Sequence, residues 1–217
     1  MAGASVGGIS SRYRIFRRVM LALGKLFFGF SVKGEELVPE RGPVVIAANH
    51  WRFFDPVLVC MAVPRRVQWM AKKELFVPPF RGVFRFLGAF PVDRQGGGRA
   101  AIRAAISFLG EGWALGMFPE GTRRKVGGAK AEADYGAKSG AVMLAVRGGA
   151  PIVPVYVGTA PGLLGRLRGE RMVARIGDPI VLEKTLRGRE AYAEAAERVL
   201  REIYALGNED ASDRVKP

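Results

Sequence analysis

Histidine and cysteine are almost missing from this sequence. Of its 217 residues one is histidine, His50, and one is cysteine, Cys60. A lone thiol permits no internal disulfide, which fits a reducing compartment. One His and one Cys also exclude the usual zinc sites, which take about four N/S ligands, or three and a water. Long uncharged apolar runs are missing too. The greasiest N-terminal stretch, 12–30, is broken by Lys25 and falls short of the roughly 20 apolar residues a membrane span requires. No small-residue cleavage site follows it, so no signal peptide is expected. Internal repeats and low-complexity blocks are absent.

Acid is scarce beside base: 20 Asp+Glu against 34 Lys+Arg, a net charge of +14. Such an excess calls for an anionic partner, whether nucleic acid, anionic lipid or a phosphorylated substrate. The distribution favours lipid. Six Lys/Arg precede the first acidic residue, Glu35, and they alternate with large apolar side chains. Nucleic-acid arms are basic and polar instead, so no nucleic-acid partner is expected. Hydrophobic residues make up 49% of the chain, which excludes global disorder.

Helical periodicity predicts a helix over 12–30. Ile15, Phe16, Val19, Met20, Leu23, Leu26, Phe27 and Phe30 fall in one arc of about 140°. Arg14, Arg17, Arg18 and Lys25 fall in an opposite arc of about 100°, with Leu21 and Phe28 intruding. A basic amphipathic helix lying in the lipid interface is expected, in place of an ordinary helix packed on the domain. The expected location is the cytoplasmic face of the cell membrane, as a peripheral or monotopic protein on an anionic surface.

Beyond it, short apolar runs alternate with helical stretches. Strands are expected at 43–48, 67–71, 88–92, 114–118, 151–157 and 171–176, and helices at 56–63, 79–87, 97–110, 137–148 and 189–206. Pro154 marks its strand as an edge or a bulge, and Gly207 reads as a helix stop. The alternation predicts a single α/β domain with a mixed, largely parallel sheet flanked by helices. The organisation expected is an amphipathic membrane-associating segment at 1–32, the α/β domain at 33–207, and a flexible tail at 208–217.

Four stretches carry candidate chemistry. His50 should lie where the strand 43–48 ends, just before a helix opened by Asp55-Pro56. Five residues of regular helix turn through about 500°, so His50 and Asp55 meet only across a turn. There the carboxylate would hold one ring N–H and leave the other nitrogen as a base. Alternatively Asp55 is only a helix cap and His50 an ordinary histidine. Phe118-Pro-Glu-Gly-Thr-Arg123 must turn sharply after its strand, placing Glu120, Thr122 and Arg123 at the sheet's carboxyl edge. The third stretch, Gly88–Arg94, likewise ends in charge, as does the run Val67–Lys73 upstream of it. If the sheet is parallel, Lys72, Lys73, Arg94 and Arg123 converge on one rim as a phosphate cradle. The fourth stretch, Pro151–Val157, reads as a buried strand.

His50-x4-Asp55, Gly88–Arg94, Phe118–Arg123 and Ile152–Val157 stand in the order and approximate spacing of the four motifs of the glycerolipid acyltransferase family. The chain resembles that family over roughly 33–182. The resemblance implies transfer of a fatty acyl group from acyl-CoA or acyl carrier protein to the free hydroxyl of a lysophospholipid. The default acceptor is the sn-2 hydroxyl of 1-acyl-sn-glycerol-3-phosphate; glycerol-3-phosphate and other lysolipids are alternatives. It makes His50 the base and Asp55 its orienting partner. It puts Arg94, Glu120, Gly121 and Arg123 in acceptor-binding motifs and matches Lys72 or Lys73 to a phosphate-holding residue. No cofactor beyond the thioester co-substrate is implied. One departure is Arg52, where the family often has a small polar residue; it bears on the shape of the acceptor pocket. Two rival readings stand beside this one: Cys60 as an acyl-accepting nucleophile with His50 as its base, and a basic membrane-binding module without catalysis.

Overall fold

The computed structural model describes residues 10–92, 98–121, 137–159, 165 and 169–213. Helix α1 (Ser11–Phe28) starts where the Ser10 hydroxyl accepts the Tyr13 N–H and stops at Gly29, whose φ of 59° suits a residue without Cβ. Strand β1 (Ser31–Lys33) follows two residues later. The chain continues through β2 (Val44–Ala48), α2 (Asp55–Ala62), β3 (Val67–Lys72), α3 (Phe80–Phe86), β4 (Ala89–Val92), α4 (Arg99–Gly110), β5 (Ala114–Met117), α5 (Gly140–Gly148), β6 (Ile152–Val157), β7 (Val173–Ile176) and α6 (Arg189–Asp213).

The strands form one sheet in the order β1-β7-β6-β2-β5-β3-β4. β2 pairs in parallel with β5 and β6, and β3 pairs in parallel with β5 and β4. Among the described strands only β7 runs antiparallel to its neighbour β6, with β1 following β7. The sheet is therefore mixed and mostly parallel, as the alternation of apolar runs predicts. β2 is the central strand, and all five of its residues are buried. Its side chains alternate between two cores. Val44, Ile46 and Ala48 face α2 and the inner side of α1, while Val45 and Ala47 face α4, α5 and α6. A strand covered on both faces has to read as a continuous apolar run, and Val-Val-Ile-Ala-Ala does.

Two expectations change and a third is narrowed. Pro154 lies in a strand paired on both sides, so of the two readings, edge or bulge, the bulge holds. Its missing N–H is accommodated by a slip of one residue on the β7 side, between the Val155–Ile176 pair and the Ile152–Ile180 bridge. Gly207 does not end α6, which runs on to Asp213. This glycine is required by close approach, since a Cβ there would sit 2.6 Å from the Tyr156 ring. Arg17, placed by periodicity on the solvent side, points inward. It donates to the Met61 carbonyl at 2.9 Å and the Ala62 carbonyl at 3.1 Å, at the C-terminal end of α2, and pairs with Glu35. A cation at a helix C-terminus meets unsatisfied carbonyls and the negative end of the dipole.

At the rim where β2, β3 and β5 begin, buried Arg65 donates to the carbonyls of Pro39, Gly42 and Gly112 at 2.7–2.8 Å. It ties three connections together and leaves the opposite rim, where these strands end, for the site.

Candidate active site

β2 ends at Ala48 and the next residue, Asn49, is fully buried. Its side chain donates to the Val157 carbonyl at 3.0 Å and accepts the Val157 N–H at 2.7 Å. Both hydrogen bonds go to the last residue of β6, so the amide clasps the ends of two parallel strands. The chain is thereby aimed into the loop that begins at His50.

That loop closes on Asp55. The carboxylate Oδ2 accepts the backbone N–H groups of Trp51 and Arg52, each at 2.6 Å, and lies 3.1 Å from His50 Nδ1. Asp55 occupies the first position of α2, with Pro56 next, one residue later than the cap position read from the sequence. It caps the preceding loop instead of the helix amides, which removes the reading of Asp55 as a simple helix cap. An ionised carboxylate only accepts hydrogen bonds, so His50 Nδ1 carries the proton and Nε2 is left with its lone pair.

The ring is held by stacking as well. Phe118 lies over the imidazole with centroids 4.1 Å apart at 18°, and Trp69 lies over Phe118 at 5.0 Å and 20°. Trp69 fits there because β5 offers Gly116, where a Cβ would fall 2.5 Å from the indole. The His50 side chain keeps 18% of its surface exposed while Asp55 keeps 6%. One polar edge of the ring is thus braced, one face is covered, and the remainder is open to a substrate.

Glu120 comes from the turn after β5. It is 2% exposed, and its Oε1 accepts the His50 backbone N–H at 3.4 Å and the hydroxyl of Tyr204 from α6. The residue expected at the rim lies beneath it, under the histidine. Gly121 has φ 73°, and a Cβ there would press Lys138 at 2.9 Å. Its N–H donates to the Phe118 carbonyl at 3.0 Å, so this group, a candidate oxyanion donor from its position alone, is engaged in the turn. Lys72 is the last residue of β3, exposed, and paired with Val92 at the end of β4. Lys73 opens the short turn Lys73–Leu75 and is also exposed. Because β2, β5, β3 and β4 are parallel neighbours, these lysines share one edge of the sheet with His50. Arg94, Thr122 and Arg123 lie outside the described residues. Cys60 is 3% exposed and accepts the Trp69 indole N–H at 3.2 Å. Burial pushes its thiol pKa up, the opposite of what a nucleophile needs.

Sequence reasoning missed Asn49 and Tyr204. The first stands next to His50 but shows its purpose only through a partner 108 residues away; the second is 84 residues from Glu120.

The family model described as Acyltransferase matches residues 29–158. Over 171 residues the chain is 34% identical to a Bacillus subtilis protein named 1-acyl-sn-glycerol-3-phosphate acyltransferase, taking in 77% of this chain and 82% of that one. A Streptococcus pneumoniae protein of the same name is 33% identical over 172 residues, covering 76% of this chain and 61% of that one. The crystal structure of a 1-acyl-sn-glycerophosphate acyltransferase from Thermotoga maritima superposes with a TM-score of 0.65 at 24% identity, over 96% of this chain and 86% of that chain; this likeness concerns the fold. The braced histidine, the buried glutamate under it and the two strands that carry them, β2 and β5, all fall inside the matched region, and the chain belongs to the acyltransferase family of enzymes.

Proposed function

We propose that this acyltransferase moves a fatty acyl group from a thioester, acyl-CoA or acyl carrier protein, to the sn-2 hydroxyl of 1-acyl-sn-glycerol-3-phosphate, giving phosphatidic acid. The observation that carries the reading is the His50 Nδ1–Asp55 Oδ2 pair at 3.1 Å on the carboxyl edge of a parallel sheet, an edge at which open α/β sheets bind ligands. The names of the relatives supply the acceptor.

His50 Nε2 takes the proton from the acceptor hydroxyl as that oxygen attacks the thioester carbonyl. The tetrahedral adduct collapses, the C–S bond breaks, and the imidazolium returns the proton to the departing sulfur. Asp55 holds the ring through Nδ1 and favours the imidazolium while it lasts. The alcohol is its own nucleophile, so no acyl-enzyme and no cofactor beyond the thioester enter the scheme. A general base supplies about 10²–10⁴-fold, roughly 3–5 kcal/mol. Alignment of the two substrates and stabilisation of the oxyanion supply the rest. Lys72, Lys73 and, from their sequence positions, Arg94, Thr122 and Arg123 receive the acceptor phosphate. α1 lies in the interface on the cytoplasmic face of the membrane and keeps the enzyme beside its lipid substrates.

His50→Ala tests the reading. Release of free thiol from acyl-CoA in the presence of lysophosphatidate should drop by at least about 10²-fold, with the far-UV circular dichroism unchanged. Turnover retained in that variant removes His50 as the base. Mass spectrometry of products from a panel of lysolipids and glycerol-3-phosphate, with both donors, fixes the acceptor; a product other than phosphatidic acid replaces the proposed one.

A further inference from the structure

α1 has one face packed on the domain and one that is not. Tyr13 and Gly24 are buried, whereas Val19, Leu23 and Leu26 are 47%, 41% and 69% exposed. At 100° per residue those three fall within about 60° of arc. Helix α3 repeats the arrangement. Phe80, Val83 and Phe86, spaced three apart, are 56%, 56% and 37% exposed. The two helices touch through Phe16 and Phe86, whose rings meet edge to face with centroids 5.1 Å apart. Phe16 stands only about 20° around α1 from Leu23, so the open stripe of α1 runs into this contact and on to α3.

The charge beside this apolar surface has one sign. α1 contains five Lys/Arg, of which Arg17 is turned inward to Glu35 and the end of α2, and α3 contains two; neither helix contains Asp or Glu. Among the described residues no helix is long and apolar enough to cross a membrane. A second copy of the chain docked about a two-fold axis would set arginines against arginines. A nucleic acid would leave the phenylalanines without a partner. An anionic bilayer satisfies both features, because acyl chains take the apolar stripe and headgroups take the cations.

We propose that α3 is the second arm of a bilayer-docking face, continuous with α1 through the Phe16–Phe86 contact, and that its occupant is an anionic lipid surface. The proposal rests on the interfacial placement of α1 and extends it to a helix within the catalytic domain. α3 lies between Lys73 and β4, so a docked α3 sets the basic rim of the sheet at headgroup level.

Vesicle flotation tests it, with vesicles of phosphatidylglycerol and phosphatidylcholine in equal parts and of phosphatidylcholine alone. The Phe80→Glu/Val83→Glu double variant should reduce binding to the anionic vesicles by roughly tenfold or more, as Leu26→Glu on α1 should. Val181→Glu, at an exposed apolar position outside both helices, should not. Circular dichroism and Tm check the fold, and thiol release with detergent-dispersed acceptor checks catalysis independently of docking. If Leu26→Glu releases the protein and the α3 variant does not, α3 is no part of the face, and the reading of α1 survives. If the wild type fails to float, both fall while the acyl-transfer reading stands on its own assay. If the α3 variant only turns a dimer into a monomer in sedimentation, with flotation unchanged, the surface is a contact between copies and the proposal is overturned.

Discussion

A single oxygen, Asp55 Oδ2, gathers two backbone N–H groups and the imidazole. In Asp55→Asn the amide oxygen can still take the backbone donors, and Asn is tolerated at a helix start. What is lost is the charge: the amide oxygen can take the place of Oδ2 beside Nδ1, but a neutral amide no longer favours the imidazolium that forms when His50 takes the proton. We expect kcat for thiol release to fall by about 10²–10⁴-fold with Tm shifted by only a few degrees; a kcat near wild type would detach Asp55 from the reaction. Cys60 supplies the contrasting test. Its thiol is buried, and burial raises its pKa, so its stabilising effect is complete below the ordinary thiol value and is lost as pH rises toward the folded one. Cys60→Ser should turn over within about twofold of wild type, since the thiol touches no reacting group. Native protein should resist iodoacetamide at mildly alkaline pH and react once unfolded in urea. The His50–Asp55 pair could be read from sequence because two local signals, a strand end and Asp-Pro, force a turn between them. The burial of Glu120 could not, because nothing near Pro-Glu-Gly announces a tyrosine from the last helix.

Elements were legible where they are long or repetitive. β2, β5 and β6 are apolar runs because both faces are covered, β3 and β4 show shorter apolar stretches, and α4 and α6 show one-sided stripes. β1 escaped: Ser-Val-Lys is three residues, too few to display a period of two. Its place beside β7 is decided by pairing, not by its own side chains. α6 shows how a glycine signal misleads. Gly207 admits the Tyr156 ring, which rests at 6.4 Å from Tyr204, so the residue that reads as a stop is where the helix closes on β6. This helix lies beyond the matched family region, 29–158, yet sends Tyr204 to Glu120. On the proposed mechanism Tyr204 acts as a positioning residue, reaching the His50 backbone through that carboxylate. Tyr204→Phe should lower kcat about three- to tenfold, the effect of one hydrogen bond, and leave KM for the acceptor unchanged. A change in KM alone would show that Tyr204 shapes binding instead.

At the scale of the molecule, strand order does what no single motif can. Lys72 is 22 residues from His50 in sequence but shares its sheet edge, because β5 inserts between β2 and β3. The placing of Lys72 and Lys73 on that edge followed from assuming a parallel sheet; the reversal at β7 did not follow from any local pattern. If that edge seats a phosphate, the Lys72→Ala/Lys73→Ala double variant should raise KM for the acceptor by about tenfold, near 1.4 kcal/mol, with kcat held within about twofold. Steady-state kinetics at fixed ionic strength decide it, and an unchanged KM assigns the phosphate elsewhere.

Only Gly29 and Phe30 separate α1 from β1, and Phe30 is sunk in the core. The join is stitched on both sides: the Met172 N–H reaches the Phe28 carbonyl, and the Ser31 N–H reaches the Met172 carbonyl. There is no slack between the two elements. Tension on the first helix is therefore delivered straight to the edge of the sheet, and the helix cannot lift off alone without unzipping β1 from β7.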